Sequence, residues 1–221
     1  MMKAVKKLQS YFFDYRFEIL GIILTWILFG GTLISATIFH EILLPISIFI
    51  LMGVSIVMVK NKRKTTRLVF ITFAVLMLTI SLLSIFREKQ SGLAIISLII
   101  FLVFFTLLSF EVFRQMLQET TVTHNIIIAA FDCYLLLGIM GATLFTIILY
   151  FNPNAYSNIE TSTHVFDKML YFSFITLTSI GYGDISPLTP LAEKLTAFFG
   201  LIGHFYSVVV VGIIVGKYVS S

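Results

Sequence analysis

The sequence predicts an all-α membrane protein: six transmembrane helices, plus a shorter helix and an irregular loop that enter the membrane without crossing it. Three observations predict this fold. The first is composition: 58% of the 221 residues are hydrophobic, only 12% are charged, and the mean hydropathy is +1.02. A soluble domain needs charged residues on its surface, so a chain this apolar is expected to be covered by lipid. The others are a series of long uncharged segments and a glycine-containing break before the last of them.

The long apolar segments are the second observation. A helix needs about 20 apolar residues to cross a bilayer, and backbone groups cannot stay unpaired in hydrocarbon, so each segment is expected to be helical. Pro45 is expected to kink the second segment or to lie in its first turn. The first segment is too long for a signal-peptide core, which predicts a retained span. The six segments are residues 19–39, 42–59, 68–86, 93–110, 126–151 and 195–215.

The basic residues predict the orientation of the bundle. They flank the first span and separate the second from the third, whereas the predicted loop His40-Glu41 has no Lys or Arg. By the positive-inside rule both basic segments and both termini are cytoplasmic, with Lys217 in agreement, and we expect a multi-pass protein of the cell membrane. The net charge of +4 is therefore not interpreted as nucleic-acid affinity. These basic residues are Lys3, Lys6, Lys7, Arg16, Lys60, Lys62, Arg63, Lys64 and Arg67.

The segment between the fifth and sixth spans is the third observation. It contains a polar turn at 152–158, a short amphipathic run at 165–178, two glycines and then two prolines. The run is too short to cross, and with an even number of spans the segment begins and ends outside. Irregular backbone at membrane depth is tolerated only where protein or water surrounds it. The segment is therefore predicted to be a re-entrant loop that lines a pore.

The strip 176–184 has the composition of an ion-coordinating backbone. A dehydrated potassium ion needs a cage of oxygens, which rings of backbone carbonyls from four identical loops can supply. The carbonyls can share one axis only if alternate residues differ in backbone hand, and glycine tolerates positive φ, which explains Gly181 and Gly183. Ser179 would add a hydroxyl oxygen, and Tyr182 is expected to point towards Tyr171 and Phe172 on the preceding helix.

The helix that precedes this strip is expected to aim its carboxyl end at the pore. That end carries a partial negative charge of about half a unit, which stabilises a hydrated cation. The alternative is that Gly-Tyr-Gly-Asp at 181–184 forms an ordinary glycine turn. Its position between a short re-entrant helix and a final span favours the coordinating strip.

These residues resemble the potassium-channel superfamily, whose loop is typically Thr-Val-Gly-Tyr-Gly-Asp. The resemblance covers residues 126–215 and is most specific over 170–187. It implies a homotetramer around one pore, potassium as the permeant ion and no cofactor. Ser179 departs from the usual threonine, which keeps the oxygen and loses a methyl group. By this resemblance, the carbonyls of Ser179, Ile180, Gly181 and Tyr182 coordinate the ion, and Thr178, Gly183 and Asp184 support the strip.

The last span contains a candidate hinge. Similar channels carry a glycine about twenty residues past the last glycine of the loop, and Gly203 lies there, as in small prokaryotic members. Small residues also let helices pack closely in lipid, which is the alternative for this glycine. Val211 or Val215 would form an apolar constriction below it. The rival bending points are Gly200, Gly212 and Gly216.

His204 suggests a second hypothesis. Helical spacing places Gly200, His204, Ser207 and Val211 on one face, which predicts that this face lines a water-filled cavity. Protonation of His204 would then repel potassium and reduce current. The alternative is a neutral histidine that is hydrogen-bonded between helices.

The four spans before the pore domain resemble the layout of voltage-gated channels. This resemblance divides the chain into a cytoplasmic segment 1–18, a sensor-like domain 19–113, an interfacial linker 114–125 and a pore domain 126–221. A working sensor needs several basic residues in its fourth span, and the segment 93–110 has none. We therefore expect weak or no intrinsic voltage dependence. Asp132, inside the fifth span, is expected to cap or pair near the interface, with Arg114 as one partner.

Other functional classes are less well supported by the sequence. An enzyme is not expected, because no metal-ligand cluster, phosphate loop or nucleophile–base pairing occurs. A potassium uptake transporter usually carries four dissimilar loops in one chain, whereas this chain has one. A non-conducting regulatory subunit is the third alternative, and an unidentified regulatory partner is left open.

Overall fold

The computed structural model describes residues 12–59, 64–86, 91–118, 123–159 and 165–220, and over these ranges the chain is helical, with no β-strand. The basic residues Lys3, Lys6, Lys7, Lys60, Lys62 and Arg63, on which the predicted orientation partly depends, lie outside the described residues. The helices are α1 (Arg16–Phe29), α2 (Phe39–Met58), α3 (Lys64–Phe86), α4 (Ser91–Gln118), α5 (His124–Phe151), α6 (Val165–Leu177) and α7 (Pro190–Ser220).

Four of these helices are long and apolar enough to cross a membrane, counted over the described ranges. They are Phe39–Met58, Gly92–Gln118, His124–Phe151 and Pro190–Val219. They correspond to the second, fourth, fifth and sixth predicted spans, so the chain is a multi-pass membrane protein. The helix α3 covers the third predicted span.

The predicted first span, residues 19–39, is wrong as a single helix. The helix α1 has 14 residues and ends at Phe29, and a 3₁₀ turn, Gly30–Thr32, follows it. The ring of Phe39 lies against this turn, where a Cβ on Gly30 would be 2.6 Å from it. The two adjacent glycines weaken the helix and permit the close approach of that ring. Hydropathy alone does not detect such a break.

The predicted loop His40-Glu41 is also wrong, because both residues lie in a π-helical turn, Phe39–Leu43, that opens α2. Within this turn the amide of Leu44 donates to the carbonyl of Phe39. Pro45 has no N–H to continue the usual pattern, and it lies at the start of the α-helix Leu44–Met58. One of the two expected positions of this proline, the first turn, is therefore confirmed.

The helix α5 is the central element of the fold. It packs against α1, α4, α6 and α7. Its first half joins a core with α1, α2, α3 and α4 in which Phe17, Leu51 and Leu108 are fully buried. Its second half joins a core with α6, where the ring of Phe145 lies 5.2 Å from that of Phe172 between centroids. The helix α5 thus packs against the earlier helices of the chain and also against the short helix α6.

A buried polar cluster joins α1, α2 and α4, and the sequence analysis missed it. Arg16 was interpreted as a flanking charge, but it is only 5% exposed and its Nε donates to Gln115 Oε1 at 2.8 Å. Gln115 Nε2 donates to Glu111 Oε1 and to the Met58 carbonyl, at 2.7 and 3.0 Å. Glu111 forms an ion pair with Arg114. The buried charges of this cluster are therefore paired or hydrogen-bonded, as burial requires.

The expected pairing of Asp132 with Arg114 is wrong, since Arg114 pairs with Glu111. Asp132 is fully buried and lies against α1, where its Oδ1 is 2.7 Å from the position that a Cβ on Gly21 would take. Its electrostatic neighbour there is Glu18. Neither carboxylate oxygen of Asp132 accepts a hydrogen bond from the described residues. The absence of a side chain at position 21 makes room for this carboxyl group.

Replacing Gly21 by alanine should destabilise the protein. The new methyl group would overlap the Asp132 carboxyl group, and overpacking of this kind costs about 1–3 kcal/mol. Gly53→Ala in α2 is the matched control, because nothing lies within 4 Å of its Cβ position. Thermal unfolding in detergent micelles should show a lower midpoint for Gly21→Ala only. Equal midpoints for the two variants would contradict the close contact between α1 and α5.

Candidate functional site

The position of α6 is fixed by small residues on α5. Ser173 Oγ donates to the Gly138 carbonyl at 2.8 Å. A Cβ on Gly138 would lie 2.2 Å from the Phe174 ring, and one on Gly141 would lie 2.2 Å from Ser173 Oγ. Glycine at these two positions therefore allows the backbone of α5 to approach α6 closely. The short helix is held against α5 along one side, and its carboxyl end at Leu177 faces α7, where Gly203 meets it.

The backbone amides that follow α6 donate hydrogen bonds to carbonyls near the end of this helix. The amides of Ile180 and Gly181 both donate to the Ile175 carbonyl, at 3.0 and 3.2 Å, and the amide of Ser179 donates to Thr176. The carbonyls of residues 179–182 accept no hydrogen bond from the described residues. Four successive backbone carbonyl oxygens are thus left available to coordinate a cation.

The backbone of this strip alternates in hand. Ser179, Gly181 and Gly183 have φ values of 59°, 55° and 76°, whereas Ile180 and Tyr182 are not in the positive-φ region. The alternation predicted from Gly181 and Gly183 is confirmed, and Ser179 extends it. Positive φ is costly for any residue with a Cβ and most costly for β-branched ones. Serine at 179 therefore adopts this conformation with less strain than threonine would.

The outer end of the strip is held by the polar turn. Asn158 Nδ2 donates to the Asp184 carbonyl at 2.7 Å, and the amide of Ser157 donates to the Ser186 carbonyl at 2.8 Å. On the other side, Tyr171 on α6 lies near enough to Asp184 to interact with its carboxylate. Asp184 is therefore held from both the turn and the helix. The sequence analysis missed the roles of Asn158 and of the Tyr171–Asp184 contact.

The two aromatic residues predicted to face Tyr182 differ in position. Tyr171 is near enough to interact electrostatically with the Tyr182 hydroxyl. Phe172 is 3% exposed and packs against Phe145 and Tyr156. In the single chain Phe172 therefore supports the strip from within the core, and the expectation that it faces Tyr182 is wrong. Tyr182 itself is 70% exposed.

An exposed surface runs from the strip down α7. All residues of 178–184 are exposed in the single chain. On α7, His204, Ser207 and Val211 are exposed, as are several large apolar residues. A continuous apolar surface of this size indicates a contact with lipid or protein. The large apolar residues are Leu201, Phe205, Val208, Val215 and Tyr218.

The predicted face of α7 is present, with one exception. His204, Ser207 and Val211 lie on its exposed side, and Ser207 Oγ donates to the Gly203 carbonyl at 3.0 Å. Gly200 is partly buried against Thr176 of α6 instead. Gly203 is buried, and a Cβ there would lie 2.6 Å from the Leu177 carbonyl oxygen. In this conformation Gly203 therefore has the packing role that was the alternative to a hinge.

The strip is the part of the site whose ligand chemistry would suit a cation. Over the described ranges there is no group of three or more His, Cys, Asp or Glu residues that could hold a metal ion. The available ligands are uncharged backbone oxygens and the Ser179 hydroxyl. Such oxygens replace the water of a weakly hydrated monovalent cation without binding it too tightly to leave.

A comparison with protein families points to the same part of the chain, and two curated proteins are similar to this chain. Residues 134–220 match a family described as ion channel. Two-pore potassium channel 5 of Arabidopsis thaliana is 40% identical over 77 residues, which are 34% of this chain and 18% of that protein. Two pore potassium channel c of Oryza sativa subsp. japonica is 37% identical over 78 residues, 35% of this chain and 16% of that protein. This chain thus matches less than a fifth of each relative, and no solved structure matches it.

Replacing Gly203 by alanine should disrupt the contact between α6 and α7. The added Cβ would collide with the backbone of Leu177, which cannot move without displacing the end of α6. Gly212→Ala is the matched control, since nothing lies within 4 Å of its Cβ position, and alanine favours a helix by about 0.5–1 kcal/mol. Thermal unfolding should show a lower midpoint for Gly203→Ala and an equal or higher one for Gly212→Ala. If both variants are stabilised, the close packing at Gly203 is refuted.

Proposed function

We propose that this chain, which matches an ion-channel family over residues 134–220 and is similar to two-pore potassium channels, is one subunit of a potassium-selective channel. Four copies would surround one pore and conduct potassium passively. The observation that supports this proposal most is the strip 179–182, whose carbonyl oxygens have no partner among the described residues while the amides of residues 179–181 donate to α6. A backbone that turns its carbonyls outward in this way suits ion coordination.

The proposed tetramer follows from the incompleteness of one strip. A single chain supplies oxygens to one side of an ion, whereas a potassium filter needs a ring from four loops. The exposed strip and the exposed apolar face of α7 would both be covered by the neighbouring copies and the pore. The carboxyl ends of four α6 helices would add partial negative charge below the ring.

The proposed topology has six spans, with both termini in the cytoplasm and the channel in the cell membrane. Residues 19–113 would form a sensor-like domain and residues 126–221 the pore domain. Of the proposed linker 114–125, residues 114–118 continue α4, and Lys217 near the end of α7 donates to the carbonyls of Met116 and Leu117. The described charges at the end of α4, Glu111 and Arg114, are paired with each other. Weak or absent intrinsic voltage dependence is therefore part of the proposal.

The proposed gate lies on α7 below the strip. Its movement would require Gly203 to leave the end of α6, which makes this contact the one that a hinge motion must break. Val211, exposed on the same helix, would narrow the pore and close it by excluding water. His204 would line the cavity between the strip and Val211.

The selectivity of the pore can be tested by the reversal potential of purified protein in planar bilayers under a potassium–sodium gradient. The wild type should reverse near the potassium equilibrium potential. Ser179→Ala should lower the potassium-to-sodium permeability ratio, because one oxygen per subunit is removed from the innermost ring. Thr106→Ala is the control, since it removes a hydroxyl group that is bound within α4. Current that reverses near zero in the wild type would refute selectivity, and the absence of current would favour a non-conducting subunit.

The cavity role of His204 predicts a response to cytoplasmic pH. Acid on the cytoplasmic side should reduce single-channel potassium current, because up to four imidazolium groups would repel the ion. His204→Ala should remove this reduction. The measurement is single-channel current against cytoplasmic pH in both proteins. The same acid response in both would show that His204 does not face the ion path.

A further inference from the structure

A direct contact joins the start of α2 to the first turn of α6. His40 Nε2 lies 3.0 Å from Asp167 Oδ2. The two side chains are 29% and 45% exposed, so water reaches both while they remain in contact. His40 was interpreted as a loop residue in the sequence analysis, and its role in this contact was not foreseen.

The contact continues to the end of the ion-coordinating strip. Asp167 and Tyr171 are four residues apart on α6, so they lie on the same face of the helix. Both line one cavity, of about 620 Å³, together with His40. Tyr171 in turn lies near enough to Asp184 to interact with its carboxylate. A continuous series of contacts therefore leads from α2 through one face of α6 to the outer end of the strip.

The surroundings of His40 hold the imidazole in place. Its ring meets the Phe39 ring edge to face, with 5.4 Å between centroids, and Phe39 contacts Trp26 of α1. The titratable groups that line the shared cavity with His40 are Asp167 and Tyr171 on α6, and Glu41 follows His40 in its own turn. The end of α1 and the 3₁₀ turn present no titratable side chain to the shared cavity, where Thr32 is their polar residue. Asp167 is thus the carboxylate in direct contact with the imidazole.

We propose that His40 and Asp167 form a proton-binding site on the outer side of the membrane that couples the first two helices to the filter. The outer location rests on the proposed function and its topology. A proton from outside water binds the imidazole, so that both ring nitrogens become donors and the ring becomes cationic. The resulting ion pair fixes the first turn of α6, and through Tyr171 it stabilises the arrangement of Asp184 and the strip. Neutral His40 holds α6 less firmly.

The sign of the effect follows from the proton balance. The ion pair with Asp167 exists only while the imidazole is protonated, so its stabilisation is present in acid and is lost as pH rises. Histidine is the side chain whose charge ordinarily changes between about pH 5 and about pH 8. External acid should accordingly stabilise the conducting arrangement of the strip and increase current.

A double-mutant cycle tests the site without requiring current. His40→Gln keeps a neutral donor, Asp167→Asn removes the negative charge, and the two changes are made singly and together in the full chain. Thermal unfolding in detergent at about pH 5 and about pH 8 should give a coupling that is larger at the lower pH. A cycle of His124→Gln with Asp167→Asn is the matched control and should give no coupling, because His124 opens α5 and is exposed there. Coupling that is absent, or equal at the two pH values, would overturn the proposal.

Current measurements then test the effect on the filter. Lowering the external pH should increase wild-type potassium current in bilayers, and this increase should be lost in both His40→Gln and Asp167→Asn. An unchanged or decreased wild-type current, or an increase that persists in His40→Gln, would refute the coupling to the filter. If His40→Gln does not fold, Asp167→Asn alone gives the same comparison at a more exposed position. A wild type without any current would contradict the proposed function, and the unfolding cycle would still decide whether the proton site exists.

Discussion

The close contact between α5 and α6 is the constraint on which the site depends. Gly138 and Gly141 remove the side chains that would separate the two helices, and Ser173 ties them together with a hydrogen bond. This contact fixes where α6 ends, and therefore where the Ile175 carbonyl accepts the amides of Ile180 and Gly181. With those amides occupied, the carbonyls that follow are directed away from the helix. The orientation of the strip is thus set by helix packing several residues before it.

Some elements of this fold follow from local sequence alone, whereas others depend on contacts between helices. The four spans with long uninterrupted apolar segments were predicted, because length and hydropathy depend only on local composition. The break after Phe29 was not, since Gly30 and Gly31 act through the ring of Phe39 from the next helix. Phe172 was misplaced for a related reason. Its position depends on which face of α6 meets α5, and a 13-residue helix that is apolar on several sides does not reveal that face.

The strip was the most predictable part of the site, because its chemistry is carried by the backbone. Positive φ at Gly181 and Gly183 follows from residue type alone. Positive φ at Ser179 does not follow from residue type, because serine has no preference for it. The contacts that Asp184 makes with Asn158 and Tyr171 were not predicted, although Tyr171 was expected to support the strip. Asn158 and Tyr171 reach Asp184 from segments 26 and 13 residues away along the chain, and no local pattern marks such contacts.

Polar contacts outside the strip join α1, α2 and α4 to one another and join α2 to α6. Arg16, Glu111 and Gln115 form a buried cluster at one end of the bundle, and His40 meets Asp167 at the opening of α2. In lipid, apolar contacts between helices gain little over contacts with acyl chains, and hydrogen bonds between helices contribute to their association. The charged residues of α1, α2 and α4 therefore serve to hold helices together. If His40 and Asp167 bind a proton as proposed, the change reaches α6 through a direct contact, and no charge has to move across the membrane.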